Sequence, residues 1–351
     1  MSATDFEPLA DVLRRHGLDE ISEEPFPNDG WSGASLTLLR RGPERFVLKR
    51  DSLARDWIAQ ATSDGPSLRE AWFAAHGPPL PAPIRAPYLG VGTDGPDVGI
   101  LMPDLTDVLF DWDAPISIEI LDRVIAGLPA LHVYPRPEAL ASGAASGAAQ
   151  AHWCPLRERV TLICRASLER AGPARDAVAD RILPGWEAFD RLAPAGAREV
   201  IASLSADPAP LLAALAELPS TLIHGDLKLA NVGLEADDTI DLVDWQMVTV
   251  APVAVELGWL LVSNVASLPL QPADVLARYH AALLSRGERG REVAGDWQAQ
   301  LDGAILVGLL LRGWRKGADA AAGVVHASGI AAADDLAWWS DRAIEAAARR
   351  L

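Results

Sequence analysis

The chain has 351 residues, half of them apolar, which is enough for a buried core in one domain or in two lobes. Lysine and arginine number 31 against 48 aspartates and glutamates, so the net charge is −17. This acidic balance argues against a general nucleic-acid or anionic-membrane surface, and it suits a solvated exterior or a cationic substrate.

The N-terminal segment, MSATDFEPLADVLRRHGLDE, carries acids early and has no apolar run, unlike a signal peptide. The longest apolar stretches, near 257–263 and at 304–311, are far shorter than the ~20 residues that span a bilayer, so they are interpreted as buried helices. We therefore expect a cytoplasmic protein without a membrane partner.

Two glycines precede the first predicted strands. Gly30 and Gly33 lie in NDGWSGAS, a pattern that fits a plain turn or a loop that covers phosphate groups. Residues 34–50, ASLTLLRRGPERFVLKR, show two β-rich runs around the Arg-Gly-Pro sequence at 41–43. This pattern predicts a β-hairpin after the glycine segment.

The second strand of this hairpin ends in FVLK. Val47 and Lys49 share one of its faces because side chains alternate along a strand. Residues 67–77, SLREAWFAAHG, begin with Ser67 as a cap, carry Glu70 in the first turns and end at a glycine. These signals predict a short helix inserted into the β-rich region.

A further strand fits Val98–Met102, VGILM. From Ile116 onward the pattern changes to helical periodicity, as in ISIEILDRVIAGLPALH and PLLAALAELP, with proline- and glycine-rich joints. We predict an α+β chain with a small β-rich N-terminal lobe, residues 1–103, and a larger, mainly helical lobe, residues 104–351. Residues 141–151, which are small and of low complexity, fit a mobile connection or a weak helix.

Cys154 and Cys164 are the only cysteines, too few for a disulfide framework. They are interpreted as core thiols of a protein in a reducing compartment. His152 lies two residues before Cys154, but no second pair with metal-ligand spacing follows. No structural metal is expected.

The helical pattern is interrupted by a second hairpin signal. The stretch TLIHGDLKLANVGL carries Asp226, Lys228 and Asn231, and the stretch TIDLVDW carries Asp244. The turn residues EADD separate the two. Acidic and amide side chains therefore follow one another in a fixed order around two short strands.

This ordered set resembles the catalytic loop and metal-binding aspartate of protein-kinase-like enzymes, most closely the aminoglycoside phosphotransferase and choline kinase-like family of small-molecule kinases. The resemblance spans most of the chain and implies a bilobal, protein-kinase-like fold that uses ATP and Mg²⁺. It implies that Asp226 orients and deprotonates an acceptor hydroxyl, while Asn231 and Asp244 bind the Mg²⁺ that bridges the phosphates. Lys228 is expected to contact the γ-phosphate in transit, and His224 is expected to support the loop.

The same resemblance implies nucleotide contacts in the N-terminal lobe. Lys49 is expected to reach the α- and β-phosphates, with Glu70 holding its ammonium in place and Val47 covering the adenine. In this context Gly30 and Gly33 are expected to form the loop that covers the phosphates.

The segment after the predicted strand VGILM is expected to form the hinge between the lobes. Proline has no N–H, so Pro103 is expected to offer only its carbonyl to the adenine amino group. Leu105 is expected to donate its amide, and Met102 belongs to the same segment. The nucleotide would therefore be held by the backbone of the hinge.

The chain contains only three lysines. Lys49 and Lys228 lie at positions where a compact ammonium approaches phosphate oxygens, whereas arginine is used elsewhere for positive charge. Lys316 lies outside the motifs.

Several features separate this chain from related classes. Gly225 replaces the arginine of protein kinases, and Asp244 follows Asp226 by only 18 residues, which disfavours a protein kinase. Glu256, in VELGW, stands where the family commonly has an aspartate that steadies the catalytic loop. The chain ends in AARRL, whereas aminoglycoside-resistance members end in a carboxylate-rich segment that binds the amines of the drug.

Two functions remain open at this stage. The first is an ATP- and Mg²⁺-dependent phosphotransferase acting on a hydroxyl of a sugar, amino alcohol or antibiotic. The second is a non-catalytic, kinase-like nucleotide-binding module. The sequence favours the first because the lysine, the base and the metal ligands are all present, and it leaves the acceptor and the oligomeric state open.

Overall fold

The computed structural model of the protein describes most of the chain, namely residues 6–27, 30–112, 114–134, 152–170 and 176–351. The low-complexity segment at 141–151 lies outside these ranges. The described strands are β1 (Glu24–Pro25), β2 (Ser35–Arg41), β3 (Glu44–Asp51), β4 (Ile84–Arg85), β5 (Gly90–Asp94), β6 (Asp97–Pro103), β7 (Ser220–Ile223), β8 (Val232–Leu234), β9 (Ile240–Leu242) and β10 (Thr249–Pro252).

The described helices fall mostly in the C-terminal part of the chain. They are α1 (Leu9–Arg15), α2 (Trp57–Ala61), α3 (Arg69–His76), α4 (Ile118–Gly127), α5 (Pro129–His132), α6 (Leu156–Thr161), α7 (Arg165–Glu169), α8 (Asp176–Leu192), α9 (Ala195–Ala206), α10 (Ala209–Ala216), α11 (Val253–Ser263), α12 (Pro272–Leu284), α13 (Gly287–Ala294), α14 (Trp297–Ala321) and α15 (Ala332–Arg350). The predicted α+β, bilobal fold is confirmed.

The N-terminal lobe is built on one antiparallel sheet in the order β1-β2-β3-β6-β5. The predicted hairpin is β2–β3, with Leu36 opposite Lys49, and the strand predicted at 98–102 is β6. Leu48 packs with α1 on one face of the sheet, whereas Val47 packs with α3 on the other. The period-2 alternation of β3 therefore directs Lys49 to the face that carries α3.

The helix predicted from SLREAWFAAHG is present as α3, but the prediction of a serine cap is wrong. Leu68 occupies the N-cap position with φ of 53°, and Ser67 is buried. Asp64 Oδ2 instead accepts a hydrogen bond from the Arg69 N–H at 2.8 Å. The buried Asp64 carboxylate, and not the Ser67 hydroxyl, therefore accepts a backbone N–H of the first turn of α3. The same carboxylate lies 3.7 Å from the Arg69 guanidinium.

The two lobes share a small sheet. β8 and β9 form the second predicted hairpin, and β4 from the N-terminal lobe pairs in parallel with β9. Ile84 lies opposite Ile240 in that pairing. The boundary between residues 103 and 104 stays a prediction; β6 ends at Pro103.

The C-terminal lobe packs around two buried helices, α11 and α14. All residues of α11 and the whole stretch 304–311 of α14 are buried, which confirms the interpretation of both apolar runs as core helices. The helices cross closely, because a Cβ at Gly258 would lie 2.4 Å from the Ala304 carbonyl oxygen. Cys154 and Cys164 are buried free thiols, as predicted.

Membrane-spanning potential was assessed over the same described ranges. There, no single helix is long and apolar enough to cross a membrane, although α9 and α10 pass that length and composition test as a pair bent by 88°.

Lys316, which lies outside the sequence motifs, belongs to the core of the C-terminal lobe. Its ammonium lies 2.6 Å from Asp335 Oδ2, and the two side chains are 1% and 3% exposed. It also lies 5.1 Å from the centroid of the Trp339 ring. The third lysine therefore has a structural role.

We expect the substitution Lys316→Met to lower the free energy of unfolding by about 3–5 kcal/mol, because it leaves the Asp335 carboxylate buried and without its cation. The matched control is Arg342→Met on α15, whose pair with Glu345 is exposed and worth at most about 1 kcal/mol. Urea denaturation of both variants measures the difference. Equal losses in the two variants would contradict the structural role of Lys316.

Candidate active site

A buried ion cluster joins the two lobes. Lys49 on β3 places its ammonium 2.5 Å from Glu70 Oε2 on α3 and 3.0 Å from Asp244 Oδ1. Burial alone lowers the pKa of Lys49, but the carboxylates of Asp244 and Glu70 outweigh it and hold that pKa well above its ordinary value. The predicted pairing of Lys49 with Glu70 is confirmed, and Asp244 brings the second lobe into it.

Asp244 follows β9 in a left-handed backbone conformation, with φ of 66° and ψ of 55°. Such a conformation is uncommon for a residue other than glycine and marks a constrained site. Burial alone raises the pKa of Asp244, but the ammonium groups of Lys49 and Lys228 hold it well below its usual range. Asp244 is therefore an ionised carboxylate that faces both lysines.

The catalytic-loop residues contact one another directly. Asp226 Oδ2 accepts hydrogen bonds from Lys228 Nζ at 2.9 Å and from Asn231 Nδ2 at 3.1 Å. Asn231 Nδ2 also donates to the Asp226 carbonyl at 2.9 Å. The Asn231 carbonyl in turn accepts from the Val243 N–H at 3.1 Å, which ties the loop to the residue before Asp244.

His224 supports this loop, as predicted. Its Nδ1 accepts the Asp226 N–H at 3.2 Å, so its Nε2 donates to the Val243 carbonyl at 2.9 Å. Burial lowers the pKa of His224 to about 4. Both ring nitrogens are therefore used by the backbone, and the imidazole is neutral.

The backbone of Gly225, in the same loop, is also held by contacts with other elements. A Cβ at Gly225, which has φ of 82°, would lie 2.0 Å from the Met247 carbonyl oxygen, so only glycine fits there. Glu256 Oε2 on α11 accepts the Gly225 N–H at 2.8 Å, and Arg159 Nε on α6 donates to the Gly225 carbonyl. The extra methylene of Glu256 therefore does not prevent the support that aspartate commonly gives.

The predicted hinge is continuous with β6. Met102 lies opposite Val47 in the β3–β6 pairing, and both side chains are buried on the Lys49 face. Pro103 is the last residue of the strand. In the part of the chain that the structure describes, no residue accepts a hydrogen bond from the Leu105 N–H, which leaves that donor available.

The predicted phosphate loop lies between β1 and β2, so it does not precede the first strand of the sheet. Gly33 has φ of 103° and packs closely against Arg55, which lies just before α2. A Cβ at Gly33 would lie 2.7 Å from the Arg55 carbonyl oxygen. Gly30 is exposed. These observations do not test a phosphate-covering role, which stays a prediction for both glycines.

Residues 25–295 match the sequence profile of the phosphotransferase enzyme family. The chain belongs to this family. The match covers most of the chain, and it confirms the predicted family and the prediction that the protein is a small-molecule phosphotransferase. A search of curated proteins found no match.

Solved structures similar to this phosphotransferase include spectinomycin phosphotransferase in complex with ADP and spectinomycin (13% identity, 89% of this chain and 87% of that chain, TM-score 0.49). They also include a macrolide 2′-phosphotransferase from Brachybacterium faecium (18% identity, 95% and 97%, TM-score 0.40). A third is an aminoglycoside phosphotransferase from Alicyclobacillus acidocaldarius (13% identity, 94% and 91%, TM-score 0.39).

Sequence reasoning missed three residues that contact the site of this phosphotransferase. The Tyr88 hydroxyl donates to Glu70 Oε1 at 2.8 Å, Asn264 Oδ1 accepts the Leu229 N–H at 2.7 Å, and Arg159 contacts Gly225 as described. Tyr88 is one of three tyrosines in the chain, which is a weak signal. Arg159 stands among other charged residues in PLRERV, and nothing local distinguishes it.

The support of Gly225 by Glu256 predicts a pH-dependent stability. Burial raises the pKa of Glu256 from its ordinary value of 4.5 to about 7. Between these pH values the folded protein holds a proton that the unfolded chain has released, so this group lowers the free energy of unfolding as the pH rises. Glutamine keeps an acceptor for the Gly225 N–H and does not ionise.

We therefore expect Glu256→Gln to gain stability relative to the unchanged protein between pH 5 and pH 8, by about 1–3 kcal/mol. Urea denaturation at each pH measures this difference. Glu217→Gln, which removes an exposed carboxylate, is the control for general charge effects. A difference that does not change with pH would contradict the buried, ionisable state of Glu256.

Proposed function

We propose that the enzyme transfers the γ-phosphoryl group of ATP to a hydroxyl group of a small molecule, and that it requires Mg²⁺. One observation carries this proposal: Lys228 lies 2.9 Å from Asp226 and 3.9 Å from Asp244, and so joins two groups of site residues. In one group Lys49 contacts Glu70 and Asp244 at 2.5 and 3.0 Å, and in the other Asn231 donates to Asp226 at 3.1 Å. Phosphoryl transfer depends mainly on positioning and on charge stabilisation, and these are the groups that it needs.

The residues present fit a magnesium ion. Mg²⁺ is commonly held by one or two protein oxygen ligands together with phosphate oxygens and water. Asp244 supplies a carboxylate, and the Asn231 amide nitrogen points to Asp226, which leaves its amide oxygen as the second ligand. Across the described ranges, no group of three or more His, Cys, Asp and Glu side chains could hold a metal alone, so the phosphates are expected to complete the coordination. When bound, Mg²⁺ would neutralise charge on the phosphates.

The nucleotide would bind between the lobes. The Lys49 ammonium would pair with phosphate oxygens as a point charge, while Glu70 retains it on the α3 side. The Leu105 N–H would donate to the adenine, and Val47 and Met102 would pack against its ring. These contacts would direct the phosphates toward Asp244.

Asp226 is the proposed proton acceptor. Its Oδ2 is held by Lys228 and Asn231, whereas none of the described residues donates a hydrogen bond to its Oδ1. Oδ1 would accept the proton of the acceptor hydroxyl as the hydroxyl oxygen bonds to the γ-phosphorus and ADP leaves. Lys228, between Asp226 and Asp244, would contact the phosphoryl group in transit.

Binding of ATP with Mg²⁺ should raise the melting temperature, because a ligand that binds only the folded state stabilises it by about 2.7 kcal/mol at a hundredfold excess over Kd. The shift should be lost in Lys49→Met, which removes the proposed phosphate contact, and retained in Arg342→Met, whose side chain is exposed on α15. Thermal-shift titration measures both. No shift with any nucleoside triphosphate would refute the kinase function.

Two isosteric substitutions separate the chemical step from binding. Asp226→Asn should retain ATP binding but lower turnover by about 10² to 10⁴, because it removes the basic oxygen. Asp244→Asn should weaken the Mg²⁺-dependent ATP binding itself. Asp237→Asn, in the turn of the same hairpin, is the control.

ATP binding is measured by the thermal shift, and turnover by ADP release with an acceptor found in a panel of sugars, aminoglycosides, macrolides and amino alcohols. Slow ATP hydrolysis serves as a substitute readout. Full turnover in Asp226→Asn, or loss of ATP binding equal to that of Asp244→Asn, would rule out Asp226 as the acceptor-side residue.

A further inference from the structure

Beside Asp226, the side chains supply cations and hydrogen-bond donors. Lys228 Nζ, bound to Asp226, lies 5.3 Å from the centroid of the Trp112 ring. The guanidinium carbon of Arg312 lies 5.9 Å from the centroid of the same ring. Trp112 is 37% exposed, so one face of this group is open to solvent. An exposed indole thus links Arg312 to the proposed catalytic carboxylate.

Arg312 is placed by a break in α14. Its φ of −130° and ψ of 20° depart from helical values in the middle of the helix. The guanidinium lies 5.5 Å from the Trp259 ring centroid and 5.1 Å from that of Trp314. The Arg312 cation therefore lies near three indole rings, those of Trp112, Trp259 and Trp314.

Buried donors around Arg312 lack acceptors. Within the described part of the chain, the indole N–H groups of Trp259 and Trp314 and the Nη2 of Arg159 find no hydrogen-bond partner. Arg159 lies 4.5 Å from the Trp259 ring centroid, so these donors belong to one neighbourhood. A buried donor without a partner lowers the stability of the folded protein. A ligand that brings acceptor oxygens to these groups would recover that loss.

We propose that this donor cluster, formed by Trp112, Arg159, Trp259, Arg312 and Trp314, binds an anionic group, carboxylate or phosphate, of the hydroxyl acceptor. The inference rests on the proposed function and names the substrate class of the same site. Guanidinium and indole N–H groups match carboxylate and phosphate oxygens. An ammonium on the acceptor would meet Lys228 and Arg312, and like charges at close range are repulsive.

The test uses four compounds on one hydroxylated skeleton: gluconate, glucose 6-phosphate, glucose and glucosamine. Their effect on the melting temperature is titrated at constant ionic strength, without nucleotide, in the unchanged enzyme. At least one of the two anions should bind at least about tenfold more tightly than glucose and glucosamine. The two anions distinguish a carboxylate from a phosphate requirement.

Substitutions in the donor cluster test whether the anion binds there. Arg312→Gln should weaken anion binding at least about tenfold, and Trp314→Phe, which replaces the indole and its N–H by a smaller aromatic ring, should weaken it less. Arg342→Met should leave it unchanged, because that cation is exposed on α15, where it pairs with Glu345. Tighter binding of glucosamine, equal binding of all four compounds, no binding of either anion, or anion binding that persists in Arg312→Gln would each overturn the proposal. The shift in melting temperature with ATP is measured in a separate experiment. Failure of the proposed kinase function is therefore distinguishable from failure of the proposed anion site.

Discussion

The arrangement of the site depends on the neutralisation of one buried ammonium by carboxylates from both lobes. A single charge in a low-dielectric interior costs several kcal/mol unless it is paired with good geometry. Lys49 satisfies this requirement only when α3 presents Glu70 and the turn after β9 presents Asp244. The positions of β3, α3 and that turn are therefore coupled. Tyr88 reinforces the coupling, since its hydroxyl donates to Glu70 and accepts the Trp245 N–H at 3.5 Å.

The catalytic loop obeys a second constraint, which is steric. Because the Met247 carbonyl excludes a side chain at Gly225, the loop cannot carry its own cation at that position. Arg159 reaches the Gly225 carbonyl from α6 instead, and Glu256 takes the Gly225 N–H from α11. Both polar groups of a backbone position buried next to Asp226 thus form hydrogen bonds with side chains from other helices. Support of this kind fixes the loop without any contact to the reacting groups.

The sequence predicted the residues whose spacing is local. Asp226, Lys228 and Asn231 fall within six residues, and their mutual hydrogen bonds follow from one short loop. The Lys49–Glu70 pair was also predictable, because strand alternation and a short helix restrict where each side chain points. The residue that caps α3 could not be predicted from the sequence. Asp64 and Ser67 both lie a few residues before the helix, and only the tertiary packing selects the Asp64 carboxylate as the acceptor. Local patterns thus specify the motif better than its supports.

The remaining contacts are set by tertiary packing between distant elements. Nothing in the local sequence indicates that Arg312, in the long apolar helix α14, lies near the indole of Trp112, which precedes α4, and those of Trp259 on α11 and Trp314 on its own helix. The overall charge and the local composition point in different directions: a net charge of −17 suits a cationic substrate, whereas Lys228 lies beside Asp226 and Arg312 lies near the same indole ring as Lys228. Charges farther apart than about 10 Å are largely screened at 0.1 M ionic strength, so the distant acidic surface contributes little at the acceptor position. Local composition, and not net charge, should decide which acceptor the site binds.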